Sequence, residues 1–186
     1  DADKEVVLTL IKSLKLLKIK EIVIDLNHLG IYTALKNNLT ITAPNESAFS
    51  KAVMLKDKQS VQSILEHDND KEAIDEIIQL LDMYGGADIF DSVKSFANSF
   101  STMTKSIEIL KQLIELIEES GAQVSLDLSD IRGYQYHTGL IFSAYSPQFK
   151  SVIAQGGRYD NLNGALGQQR PATGFSLDLR YLINNL

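Results

Sequence analysis

Residues 122–160 read AQVSLDLSDIRGYQYHTGLIFSAYSPQFKSVIAQGGRYD. Ala122–Leu128 alternates apolar and polar residues, which puts Val124, Leu126 and Leu128 on one side of a strand. Thr138–Tyr145 and Phe149–Gln155 flank Ser146-Pro147-Gln148, the pattern of a β-hairpin with a short proline-containing turn. Gly156-Gly157-Arg158-Tyr159-Asp160 is expected to end that hairpin. Beyond it, a short helix is expected through Leu162–Leu166, a last strand over Pro171–Leu177 and a last helix over Asp178–Asn184.

Upstream, residues 4–18 place Val7, Leu10, Ile11, Leu14 and Leu17 at helical spacing, with lysines on the outer face. Glu21–Leu26 reads as a strand and leads through Asn27-His28-Leu29-Gly30 into a short helix, Ile31–Lys36. Residues 45–120 carry almost no strand signal. Glu46–Leu55, Ser60–Glu66, Lys71–Met83 and Thr102–Glu119 all read as helices. Asp57, Asp70 and Ser101 are plausible N-caps, and His67-Asp68-Asn69 and Gly85-Gly86 read as breaks. Ile107, Leu110, Leu113, Ile114 and Ile117 form one stripe, read as core packing. Helices segregated from antiparallel strands make the class α+β. The 186 residues are enough for one domain, with residues of about 40–120 as a helical insertion.

The net charge of −6 argues against a large nucleic-acid surface, which shows as a basic stripe. The chain has no cysteine, and its three histidines lack ligand spacing, so neither a disulfide nor a metal site is expected. No apolar run approaches the roughly 20 residues of a membrane span. With no signal-peptide pattern either, the expected compartment is the cytoplasm.

Three local patterns carry chemistry. The first, Arg132-Gly133-Tyr134-Gln135-Tyr136-His137-Thr138-Gly139, gathers a guanidinium, two phenols, an amide and an imidazole between two strands. The planar fork of Arg132 suits a carboxylate or a phosphate, and Tyr136 and His137 suit a polar ring. A strand edge with surface aromatics and a solvent-paired arginine fits the same residues. The second, Gly156-Gly157-Arg158-Tyr159-Asp160, permits close backbone approach to a ligand, or is simply a turn. The third runs from Pro171 to Tyr181, a strand entering a helix start. Asp178 stands where that helix begins and reads as its cap.

In this order and spacing the three patterns resemble the histidyl-tRNA synthetase family. The first is similar to that family's Arg-Gly-Leu-Asp-Tyr-Tyr-Thr-Gly motif, the second to its Gly-Gly-Arg-Tyr-Asp block. Pro171 to Leu182 is similar to class II motif 3, near Pro-Ala-Val-Gly-Phe-Ala-Met-Gly-Leu-Glu-Arg-Leu. Asp25-Leu26-Asn27-His28-Leu29-Gly30-Ile31 also resembles a family segment that precedes the insertion. The resemblance implies the C-terminal half of a class II synthetase-like domain, an antiparallel sheet with flanking helices. No match to motifs 1 and 2 is present, so the chain is expected to be part of a longer protein.

The departures from the family pattern bear on activity. The resemblance implies an arginine for the ATP phosphates at position 181, which is Tyr181 here. Arg180 lies one residue earlier, and one helical step turns a side chain by about 100°. Asp178 stands where the family has a small glycine, adding an anion beside the nucleotide position. Gln135 replaces an aspartate, and His137 replaces the second of two tyrosines that help to recognise histidine. Loss of adenylate chemistry is therefore expected, with Arg132, Tyr136, His137, Arg158 and Tyr159 as candidate contacts for a histidine-like amino acid. The pattern is similar to the synthetase paralogues without an anticodon-binding domain that act as regulatory subunits of short-form ATP phosphoribosyltransferase. That likeness implies a non-catalytic role in the first step of histidine biosynthesis and its control by histidine. It also implies the short-form catalytic subunit as partner, a homodimer within a hetero-oligomer, no tRNA and no cofactor. The alternatives are a histidyl-tRNA synthetase fragment and a paralogue sensing another amino acid.

Overall fold

The computed structural model describes residues 2–97, 101–134, 136–160 and 170–185. Gln135 and the helix expected through 162–166 lie outside the described residues. Six strands form one sheet in the order β2-β3-β1-β4-β5-β6. Their ranges are β1 Val23–His28, β2 Tyr84–Gly85, β3 Gln123–Asp127, β4 Leu140–Tyr145, β5 Ala154–Arg158 and β6 Thr173–Leu177. The helices are α1 Ala2–Leu16, α2 Leu29–Lys36, α3 Glu46–Met54, α4 Lys58–Leu65, α5 Lys71–Leu80, α6 Ile89–Ala97, α7 Ser101–Glu119 and α8 Leu179–Asn185.

The α+β class stands, with one departure from a purely antiparallel sheet. Strands β1 and β3 pair in parallel, Val23 opposite Gln123 and Leu26 opposite Leu126. All other pairs are antiparallel. The chain between β1 and β3 holds helices α2 to α7, and such a long crossover lets two strands run the same way.

The apolar sides of β1 and β3 (Ile24, Leu26 and Leu126) are buried with Val7, Leu10, Ile11 and Leu14 of α1 and Leu110, Leu113 and Ile117 of α7. The i, i+3, i+4 stripes of both helices thus meet one face of the sheet, and its removal from water is the main stabilising term. The caps at Asp57 and Asp70 are formed, each carboxylate accepting from a backbone N–H three residues on, at 3.1 and 2.8 Å. Strand β2 and helix α6 were not expected. The latter buries Phe90 and Val93, and this short apolar pair is too brief to reveal a period in the sequence.

The hairpin is looser than its sequence suggests. Ala144 pairs with Ala154, so the second strand begins at Ala154 and not at Phe149. Phe149 instead turns into the core, with its N–H donating to the Ser146 carbonyl at 3.0 Å. Gly156 and Gly157 lie inside β5, which ends at Arg158.

Candidate functional site

The cross-strand register lays polar side chains in a row on the sheet face opposite α1 and α7. Ser125 of β3 pairs with Asp25 of β1, Asp25 with Ser143 of β4, Ser143 with Gln155 of β5, and Gln155 with Ser176 of β6. Paired residues of a sheet share a face, so these five side chains form one rank across five strands. On this face lies a cavity of about 280 Å³, whose walls include Asp25, Asn27, Asp130, Arg132, His137 and Gln155. That is close to the lower bound of roughly 300 Å³ for small-molecule pockets. A wider hollow of about 540 Å³, lined by Val23, Tyr145 and Phe149 among others, also reaches Asp25 and Ser125.

The loop between β3 and β4 supplies the cavity's charged wall. Ile131 is buried, and the Tyr134 ring meets Tyr32 edge-on at 5.0 Å, so both anchor the loop in the core. Asn27, only 2% exposed, ties the loop to β1 by donating from Nδ2 to the Asp130 carbonyl at 2.7 Å. Gly133 has φ of 73°, a left-handed turn that glycine adopts without strain, and a Cβ there would meet His137 Nδ1 at 2.6 Å. Both Tyr136 and His137 donate their backbone N–H to the Gly133 carbonyl.

Between them the anchors turn Arg132 and His137 to the cavity. The Arg132 guanidinium binds both carboxylate oxygens of Asp130, which holds it firmly in its charged form. Burial pushes the His137 imidazole below its ordinary value, against opposing pulls from the Arg132 carbonyl and Asp130. It therefore stands neutral near pH 7, with one nitrogen to donate and one to accept. Burial raises the Asp25 carboxyl, opposed by a hydrogen bond from Ser125. Asp127 and Asp130 raise it further, and Arg132 lowers it.

The other expected contacts sort by face. Tyr136 and Tyr159 pack on His137, with ring centroids 5.3 and 6.3 Å away, and on each other at 5.3 Å. They buttress the imidazole rather than line the cavity. Glycines make room for this cluster. A Cβ at Gly157 would meet His137 Cδ2 at 2.8 Å, and one at Gly174 would meet the Tyr159 hydroxyl at 3.1 Å. Arg158, expected as a contact for a histidine-like amino acid, points to the opposite face of the sheet from His137. Its Nε donates to Asp3 of α1 and its Nη1 to Asp160, each at 3.0 Å. Strand alternation decides this, since Gly157 and Arg158 must face opposite ways. Asp25, Asn27, Asp130, Ser143, Gln155 and Ser176 were not expected as site residues, because only the register brings them together.

The third pattern makes no contact with this cavity through its charged residues. Asp178 accepts from the Tyr181 N–H at 2.9 Å, the expected helix cap. Tyr181 packs against Phe149 with ring centroids 5.9 Å apart. Arg180 is exposed. Among the described residues, no group of three or more acidic, histidine or cysteine side chains is placed to hold a metal ion. Among them also, no helix is long and apolar enough to cross a membrane.

A mixed sheet with one helix-covered face and one polar, cavity-bearing face is the architecture of a class II aminoacyl-tRNA synthetase-like domain. The chain belongs to the histidyl-tRNA synthetase family, whose sequence model matches residues 1–182. It is 36% identical to the ATP phosphoribosyltransferase regulatory subunit of Chromohalobacter salexigens, over 99% of this chain and 48% of that protein. A solved ATP phosphoribosyltransferase regulatory subunit/histidyl-tRNA synthetase from Bacillus halodurans superposes with a TM-score of 0.83 at 23% identity, covering 100% of this chain and 49% of that one. The ATP phosphoribosyl transferase (HisG:HisZ) complex from Thermotoga maritima shares the fold at a TM-score of 0.68 and 17% identity, over 95% of this chain and 60% of that one. The chain spans about half the length of the curated relatives it matches.

Proposed function

We propose that the protein is a non-catalytic regulatory subunit of ATP phosphoribosyltransferase, needed for the first step of histidine biosynthesis and its feedback control by histidine. The observation that carries this reading is the state of the third pattern. A synthetase needs a cation there for the ATP phosphates, and the matching residue is Tyr181, packed on Phe149 beside an aspartate that caps the helix. Losing a positioned cation and adding an anion three residues away removes the electrostatic stabilisation that phosphate chemistry depends on. The 36% identity to a protein named as such a regulatory subunit supports the same reading.

In this proposal Arg132 takes the carboxylate of a histidine-like amino acid and His137 its ring. Tyr136 and Tyr159 position His137, and Arg158 braces α1 against β5. The chain is one class II synthetase-like domain with residues of about 40–120 as a helical insertion. It works in the cytoplasm as a homodimer with the short-form catalytic subunit, without tRNA. The test mixes the full protein with that catalytic subunit from the same source and follows phosphoribosyl-ATP formation. Activation, or inhibition by histidine that requires this protein, is expected. Neither effect, together with histidine-dependent ATP–pyrophosphate exchange, would make it a synthetase.

A further inference from the structure

Nothing above assigns a task to the rank Ser125, Asp25, Ser143, Gln155 and Ser176. Four of its members, Asp25, Ser143, Gln155 and Ser176, line the smaller cavity, and its only charge is Asp25. Asp25 lies where the two hollows meet, since it lines both. Among the ionic groups that line the smaller cavity, Asp25 and Asp130 are negative and Arg132 is positive. The Arg132 guanidinium is already bound by Asp130, side by side, through Nη2–Oδ2 at 2.6 Å and Nε–Oδ1 at 2.9 Å. Asp25 therefore keeps a carboxylate whose charge no ion pair neutralises among the described residues.

We infer that Asp25 is a specificity-determining residue that receives the ammonium group of a zwitterionic ligand, with Ser143 and Gln155 as neutral flanking acceptors. This rests on the reading of the cavity as an amino-acid site. Three features of the geometry point this way. A half-buried carboxylate with two further acidic groups near it gains from a ligand cation, because that cation relieves both desolvation and like-charge repulsion. Buried Ser143 on β4, the neighbour of β1, and exposed Gln155 on β5, one strand further out, present a hydroxyl oxygen and an amide oxygen as acceptors for the remaining ammonium protons. Asp130 engages Nε and Nη2 of Arg132 and the Tyr145 side chain is a further partner of the guanidinium, whose five N–H donors still leave some for the ligand's carboxylate. An amino acid lying between Asp25 and Arg132 satisfies both ends, whereas a phosphate meets Asp25 and Asp130 as like charges.

The experiment is calorimetric titration of the full protein with three probes. L-histidine has both end groups, imidazolepropionate lacks the ammonium, and histamine lacks the carboxylate. The wild type is expected to bind histidine at least about tenfold more tightly than imidazolepropionate, the scale of one charge-assisted hydrogen bond. Asp25→Asn, which keeps the side-chain shape, should weaken histidine and histamine by a similar factor and leave imidazolepropionate unchanged, so the preference disappears. An undiminished preference in a folded Asp25→Asn protein overturns the assignment while leaving the amino-acid site standing. If neither histidine nor histamine binds the wild type, the amino-acid reading of the cavity falls and this inference with it. Should Asp25→Asn not fold, Gln155→Glu takes its place. A second carboxylate on the exposed part of the rank should raise the preference several-fold, and an unchanged preference there also overturns the assignment.

Discussion

The Asp130 carboxylate grips the Arg132 guanidinium through both of its oxygens, and one of them also accepts the Arg132 backbone N–H at 2.9 Å. The pair is therefore an element of loop geometry as well as of charge. It keeps the guanidinium at the mouth of the cavity, where the side chain is 51% exposed and open to a ligand. Arg132→Ala should weaken histidine sensing by the full protein about tenfold or more, the scale of a lost charge-assisted hydrogen bond. Stability should fall by about 1–3 kcal/mol, because the Asp130 side chain is only 12% exposed and would lose its partner. Histidine titration and urea unfolding of the variant check both halves. An unchanged histidine response with unchanged stability would remove Arg132 from the site.

Tyr181→Arg alone should not restore histidine activation. The new guanidinium would emerge three residues after Asp178, whose carboxylate caps the same helix and would attract it. A cation neutralised by its own helix cap does not stabilise a phosphate. ATP–pyrophosphate exchange in the presence of histidine is the measurement, and no signal above the parent protein is expected. Detectable exchange would mean that the Asp178–Tyr181 block does not silence the chemistry.

Gly157→Ala should damage fold and site together. An added Cβ would lie 2.6 Å from the Leu140 carbonyl oxygen and 2.8 Å from the His137 ring. The carbonyl belongs to the central strand and cannot move cheaply, so the imidazole must shift or the strands must part. Overpacking of this kind costs about 1–3 kcal/mol. Urea unfolding should register that loss, and histidine affinity should drop in the protein that remains folded. A variant as stable as the parent would show that β5 and His137 are less tightly packed than this contact implies.

How far these residues were legible in the sequence follows from the physics of each element. Amphipathic helices α1 and α7 announce themselves because burial of one stripe fixes a 3.6-residue period. Asp57, Asp70 and Asp178 were readable as caps because a cap acts on its own next turn. Arg132 and His137 were readable as a local motif. The face to which Arg158 points was not, since it is set by the register of β5 against β4. The parallel pairing of β1 with β3 and the polar rank through Asp25 were also hidden. Both are relations between strands far apart in the chain, and no local period encodes a register.

His28 gives the fold a pH dependence of its own. Its Nδ1 accepts the Gly30 N–H at 3.1 Å and so caps α2, which requires that nitrogen to be unprotonated. Burial, with a smaller contribution from Arg158, lowers the imidazole to about 4, against an opposing pull from Asp3. The ordinary value is about 6.5, so between those two pH values the unfolded chain binds a proton that the folded one refuses. Stability must then rise with pH across this window, and fall as the solution is acidified from about 6.5 to about 4. The full shift corresponds to about 3 kcal/mol. His28→Asn keeps a capping oxygen but removes the titration. Urea unfolding of both proteins across the window should show a shallower decline for the variant. Parallel curves would mean that the carboxylates alone set the acid sensitivity and that His28 titrates normally in the folded protein.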